Sequence, residues 1–398
     1  MKRIISLTIS LILLFVPTHA YAQESASIYP YDTVISEYWF APASAEYISD
    51  GSARALLLME YSTGRVLFSE NERERLPIAS VTKVMTALLV VEAIDGGRIA
   101  LNDTVTVSEY AASMGGSQVF LEAGEQMSVD DLLKSVIVAS ANDATVALGE
   151  HICGSEKAFV ESMNQRAREL GCENSNFANT NGLPDDNHYS CALDVALITR
   201  ELMKHTLIFD YTTIWMDTIR NGSFGLANTN KLIRFYKGAT GMKTGFTSEA
   251  KYCLSGTAER DGMKLIAVVL GGETSDKRFA AAKGMLDYGY ANFAVVTPDI
   301  PTIEPLTVTR GVKDFVSLTA EPTSILCEKG DRGGIEAKIE LCESIEAPFE
   351  KGAQVGTVGY YKNGELVGSS PIFTAESVDA VSYFSLLKKL FLTLLSRK

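Results

Sequence analysis

Strand-like runs stand at both ends of the first 300 residues and bracket a helical middle, and that order constrains the fold more tightly than composition does. Arg54 to Glu60 and Arg65 to Glu70 read as two strands joined by the turn Tyr61-Ser62-Thr63-Gly64. Lys251 to Thr257 and Met263 to Gly271 read as a second hairpin across Glu259-Arg260-Asp261-Gly262. Between them a helix is expected from Ser80 to the Gly96-Gly97 stop, with Val84, Leu88, Val91 and Ile94 at helical spacing. Another opens at Ser128, which with Asp131 resembles a capping box ahead of Leu132, Leu133, Val136 and Ile137. Asp276 to Phe293 reads as a third. This order suggests an antiparallel sheet flanked by helices, so an α+β domain is predicted over residues 51–296.

With 398 residues, one compact fold does not account for the chain, and two or three domains are expected. The Pro-rich joint Thr297-Pro298-Asp299-Ile300-Pro301 marks a boundary. Beyond it come short β-rich runs at Val308, Phe315-Val316, Ile335 to Leu341 and Val355 to Tyr361, with Asn363-Gly364 as a hairpin turn. A small all-β domain, a β-sandwich, is predicted over 302–376. Residues 380–398 then place Tyr383, Phe384, Leu387, Leu390, Phe391, Leu394 and Leu395 on one helical stripe.

The N-terminus sets the compartment. Lys2 and Arg3, the apolar run Ile4 to Val16 and Ala20-Tyr21-Ala22 form a signal peptide over 1–22, followed by a polar leader over 23–50. The apolar run is short of the ~20 residues a bilayer span requires, which disfavours an uncleaved anchor. Cleavage removes two of the 36 basic residues and none of the 49 acidic ones, leaving a mature net charge of −15. The tail carries Lys388, Lys389, Arg397 and Lys398 and no acid, so the rest of the mature chain stands at −19. Such polarity predicts a peripheral anchor, a basic amphipathic helix lying on an anionic membrane surface at the outer face of the cytoplasmic membrane. The alternative is a helix docked on the protein's own body.

The acidic balance argues against a nucleic-acid partner. Six cysteines show no C-x-x-C and no tight metal-ligand spacing, and they read as structural with no pairing deducible. With no Gly-rich phosphate loop either, no metal and no cofactor is predicted.

Ser80-Val81-Thr82-Lys83 puts a hydroxyl and an amine on one helical face. The same spacing recurs at Ser248/Lys251 and Ser385/Lys388, so it means little alone. Ser140-Ala141-Asn142 is likewise one of three Ser-x-Asn triplets, whereas Lys243-Thr244-Gly245 is unique. In order, spacing and element type the set resembles the penicillin-recognising serine enzymes, and within them the D-alanyl-D-alanine carboxypeptidases among the low-molecular-mass penicillin-binding proteins. Leu76-Pro77-Ile78-Ala79-Ser80, Gly182-Leu183-Pro184-Asp185, Asn187-His188-Tyr189-Ser190, Ala347-Pro348-Phe349-Glu350-Lys351-Gly352 and the tail extend the resemblance over nearly the whole mature chain.

The resemblance implies a β-lactamase/transpeptidase-like catalytic domain, a helical cluster against a five-stranded antiparallel sheet. The activity it implies is release of the terminal D-alanine from peptidoglycan stem peptides, with β-lactam antibiotics as covalent inhibitors. Acyl transfer assigns Ser80 as nucleophile and Lys83 as the base if its amine is neutral, a state that burial and a second cation, Lys243, both favour. Ser140 is assigned as a proton relay. Asn142 would hold a substrate amide, Lys243 with Thr244 the terminal carboxylate, Gly245 would belong to the same substrate-binding segment, and the backbone N–H groups of Ser80 and Phe246 would hold the oxyanion. Many relatives have His where Phe246 stands. Arg278 is a further candidate for carboxylate recognition, against the alternative of a solvated helix charge. His188 is read as a loop-packing hydrogen bonder, and Asp185, Asp186 and Asp194 as structural.

A β-lactamase shares the three motifs but commonly deacylates through a glutamate and a water, and no E-x-x-L-N-like segment lies between Ser140 and Lys243. A catalytically dead wall-binding module would be favoured by a broken motif, and none is broken. Endopeptidase or transpeptidase action stays open, because the acyl-enzyme is common to all.

Overall fold

A computed structural model describes residues 47 and 49–382. The signal peptide 1–22, nearly all of the leader 23–50 and the tail stripe from residue 383 lie outside the described residues.

Both predicted hairpins join one five-stranded antiparallel sheet, in the order Val66–Glu70, Ala55–Glu60, Met263–Gly272, Lys251–Arg260, Ala239–Thr247. The central strands are continuous apolar runs because both faces are covered. Leu57, Met59, Ile266 and Val268 enter the core under the helices, while Leu56, Leu58, Leu265 and Val269 enter a second core on the opposite face. That second core is closed by the helix Ser275–Asn292, through Phe279, Ala282, Met285 and Leu286. Lys-Thr-Gly, expected just ahead of the Lys251 strand, lies inside the edge strand Ala239–Thr247.

The helix Lys83–Asp95 departs from the expected single stripe. Met85, Ala87, Leu89 and Val90 are buried along with Val84, Leu88 and Val91, as for a helix enclosed on every side. Ser128 caps the next helix as predicted, its Oγ accepting from Asp131 N–H at 3.1 Å. That helix runs only from Val129 to Lys134. Ser135–Ala139 widen into a π turn that stops at Ser140, in the left-handed conformation at φ 62°, before Asn142–Cys153 begins.

From Phe293 to Ser382 the regular elements among the described residues are all strands. Phe293–Val296 pairs antiparallel with Ile325–Glu328, which ties the first domain to the second. A three-stranded sheet and a four-stranded one then enclose Leu306, Val308, Val316, Val358, Tyr360 and Ile372. Asn363 and Gly364 both take positive φ, 52° and 85°, as a type I′ turn requires.

Candidate active site

Three separate elements bring Ser80, Lys83 and Asn142 together. The chain enters through Leu76, bridged to Ser190, and turns at Ala79, whose φ of 47° is left-handed. A single 3₁₀ turn, Ala79–Thr82, leaves Ser80 half-buried, and the long helix begins at Lys83. Lys83 is fully buried. Its Nζ lies 3.0 Å from Ser80 Oγ, 2.6 Å from Asn142 Oδ1 and 2.9 Å from the Asn181 carbonyl oxygen. A neutral amine has two N–H donors and one lone pair; the two carbonyls take the donors, and the lone pair is left for the serine hydroxyl. Burial holds the Lys83 amine well below its ordinary range, with Lys243 lowering it further and Asp143 opposing.

Asn142 opens its helix one residue beyond the left-handed Ser140, with Ala141 at the N-cap. Its Nδ2 donates to Gly115 O at 2.6 Å, and its backbone N–H to Ser117 O at 2.7 Å. One Nδ2 hydrogen and one Oδ1 lone pair therefore remain for a substrate amide. A β-carbon at Gly116 would lie 2.8 Å from Asn142 Nδ2, so this loop closes on the carboxamide only with glycine there.

The edge strand Ala239–Thr247 forms the third side. Lys243 is buried, with Nζ donating to Thr244 O at 3.0 Å. Burial, with Arg278 adding to it, pushes its pKa down to about 7. Thr244 Oγ1 lies 2.6 Å from Thr229 Oγ1. At Gly245 a β-carbon would meet Ile78 O at 2.8 Å, Ser80 N at 2.9 Å and Val81 N at 3.0 Å, so the strand lies directly against the backbone of the serine turn. Phe246 is exposed, its ring stacked on Tyr252 with centroids 4.4 Å apart.

A family model described as D-alanyl-D-alanine carboxypeptidase, peptidase S11, matches residues 42–274, more than half of the chain. The chain belongs to the D-alanyl-D-alanine carboxypeptidase family. A second model, the C-terminal domain of penicillin-binding protein 5, matches residues 301–380. The D-alanyl-D-alanine carboxypeptidase DacF of Bacillus subtilis is 43% identical over 344 residues, 85% of this chain and 88% of that protein. The crystal structure of penicillin-binding protein 5 from Haemophilus influenzae superposes with a TM-score of 0.73 at 34% identity, over 84% of this chain and 100% of that one. Penicillin-binding protein D2 of Listeria monocytogenes, solved in its ampicillin-bound form, superposes with a TM-score of 0.53 at 33% identity, over 60% of this chain and 98% of its own.

Within this carboxypeptidase some predicted residues stand where expected and others do not. The alternative reading of Arg278 as a solvated charge fails, because the residue is 6% exposed. Its guanidinium donates to the carbonyls of Gly245 and Cys253, at 3.1 and 3.0 Å, and so pins the edge strand to its neighbour. The hydrogen bonds of Lys83 run to Ser80, Asn142 and Asn181 and not to Ser140. Ser248 sits exposed in the turn between two strands, off any helix. Asp194 is structural, its Oδ2 accepting from Asn174 N–H and Ser175 Oγ–H. The six cysteines are free thiols.

Sequence reasoning missed the Asn181 carbonyl, a backbone group that no side-chain pattern marks. It also missed Gly182, at φ 85°, where a β-carbon would fall 1.9 Å from Ala79 O. The segment Gly182-Leu183-Pro184-Asp185 is the sequence signal that marks this loop.

Proposed function

We propose that this carboxypeptidase removes the terminal D-alanine from peptidoglycan stem pentapeptides through an acyl-enzyme on Ser80. The observation that carries this reading is the environment of Lys83, a buried amine whose two carbonyl partners leave its lone pair for Ser80 Oγ at 3.0 Å. Ser80 attacks the carbonyl of the penultimate alanine as its proton passes to Lys83. The oxyanion forms against the Ser80 and Phe246 N–H groups, where the close approach of Gly245 brings edge strand and serine turn together. The peptide C–N bond then breaks, the leaving amine takes the proton with Ser140 as relay, and water hydrolyses the ester.

A terminal carboxylate binds beside Lys243 and Thr244. Its negative charge raises the Lys243 pKa from about 7 and holds the amine charged while substrate is bound. A β-lactam acylates the same serine. The protein works after export, held at the outer face of the cytoplasmic membrane by its basic tail helix.

Incubation with a stem pentapeptide and weighing of the products tests this. Loss of one alanine is expected; an unchanged pentapeptide, or cleavage of cross-linked dimers alone, contradicts it.

A further inference from the structure

His188 belongs to the segment Asn187-His188-Tyr189-Ser190, which the chemistry above leaves without a task. The residue is 5% exposed and edge-on to Phe177, yet both ring nitrogens are engaged. Nδ1 accepts from the Ala178 N–H at 3.2 Å, and a nitrogen that accepts carries no proton. Nε2 therefore bears the hydrogen and donates to Thr82 Oγ1 at 2.7 Å. Thr82 in turn donates its hydroxyl hydrogen to Ala79 O at 2.8 Å. The chain of donors is complete in one direction only. It ends on the carbonyl of the residue before Ser80, which is left-handed without being glycine.

We propose that His188 is a positioning residue for the nucleophile, holding the Ala79–Thr82 turn through Thr82 so that Ser80 Oγ faces Lys83. Three features of the same loop support this. Asn181 O binds Lys83 Nζ, Gly182 packs on Ala79 O with no room for a β-carbon, and Ser190 pairs with Leu76 at the entry to the turn. Loop 178–190 thus grips both the serine turn and the base. Burial lowers the His188 pKa to about 4, so the ring is neutral at physiological pH and the required tautomer persists. A charged ring would turn an N–H against the Ala178 N–H. Phe has the ring's bulk and neither nitrogen. Gln can supply a donor to Thr82 and an acceptor to Ala178.

The inference rests on acylation at Ser80, and the test separates the two. Wild type, His188→Phe, Thr82→Val, the double variant and His188→Gln are reacted with a labelled penicillin, and the acylation rate constant is measured beside the thermal midpoint. Acylation of wild type, mapped to the peptide containing Ser80, secures the Ser80 reading whatever the variants do. His188→Phe and Thr82→Val should each slow acylation by about 10- to 100-fold, as displaced reacting groups do. The double variant should be no slower than the worse single one, because both break one chain. His188→Gln should recover most of the rate. Folded single variants that acylate as fast as wild type, multiplicative losses in the double variant, or a His188→Gln variant as slow as His188→Phe would each overturn the proposal.

Discussion

Lys83 Nζ sits closer to Asn142 Oδ1, at 2.6 Å, than to Ser80 Oγ, at 3.0 Å, so the asparagine is the nearest control on the charge of the base. Asn142→Asp replaces a neutral acceptor with an anion, which favours the ammonium form of Lys83. The rising limb of acylation rate against pH should move up by about 1–3 units. A limb left in place would mean that Asn142 orders the site without tuning the base.

Lys243→Gln removes a cation that lowers the Lys83 pKa, but burial is the larger cause and remains. Measured with a neutral thioester lacking a terminal carboxylate, the limb should shift upward by less than in Asn142→Asp. With a carboxylate-bearing peptide, wild-type kcat/KM should fall as pH rises above about 7, because free Lys243 loses its proton there. The thioester should show no such fall. Equal alkaline profiles for the two substrates would remove Lys243 from carboxylate capture.

Gly245→Ala would place a methyl group 2.9 Å from Ser80 N and 2.8 Å from Ile78 O, both backbone atoms that cannot yield as a side-chain end would. Strand and turn must separate, and acylation should slow by about 100-fold, the order expected for ångström-scale misplacement. Stopped-flow labelling decides it. A rate within twofold of wild type would show that the oxyanion site tolerates the shift.

The proposed membrane attachment is tested by ending the chain after Ser382. Ala380 bridges to Gly311 and the Val381 N–H donates to Arg310 O at 2.8 Å, so this cut spares those contacts. The truncated protein should stay in the supernatant with anionic vesicles, while full-length protein sediments and binds neutral vesicles less. Activity on soluble peptide should not change. Co-sedimentation of both forms would exclude the tail as anchor.

Much of this was legible in the sequence because the responsible forces are local. The strand runs Ala55–Glu60 and Met263–Gly272, the Asn363-Gly364 turn and the Ser128 cap are set by apolar pattern, φ requirement and a neighbouring donor. Ser80, Lys83, Asn142 and Lys243 could be named from motif order. What escaped is set by tertiary contact. The π turn before Ser140 has no propensity signature, and the burial of Arg278 depends on which carbonyls face it. The Asn181 carbonyl is a group every residue possesses, so only the fold can give it a task.

The proposed mechanism requires that Ser80, and no other serine, forms the acyl-enzyme. Reaction with a labelled penicillin followed by peptide mass mapping tests it most directly. One adduct is expected, on the peptide containing Ser80, absent from Ser80→Ala. Label on Ser248 or Ser385, or an undiminished adduct in Ser80→Ala, would contradict it.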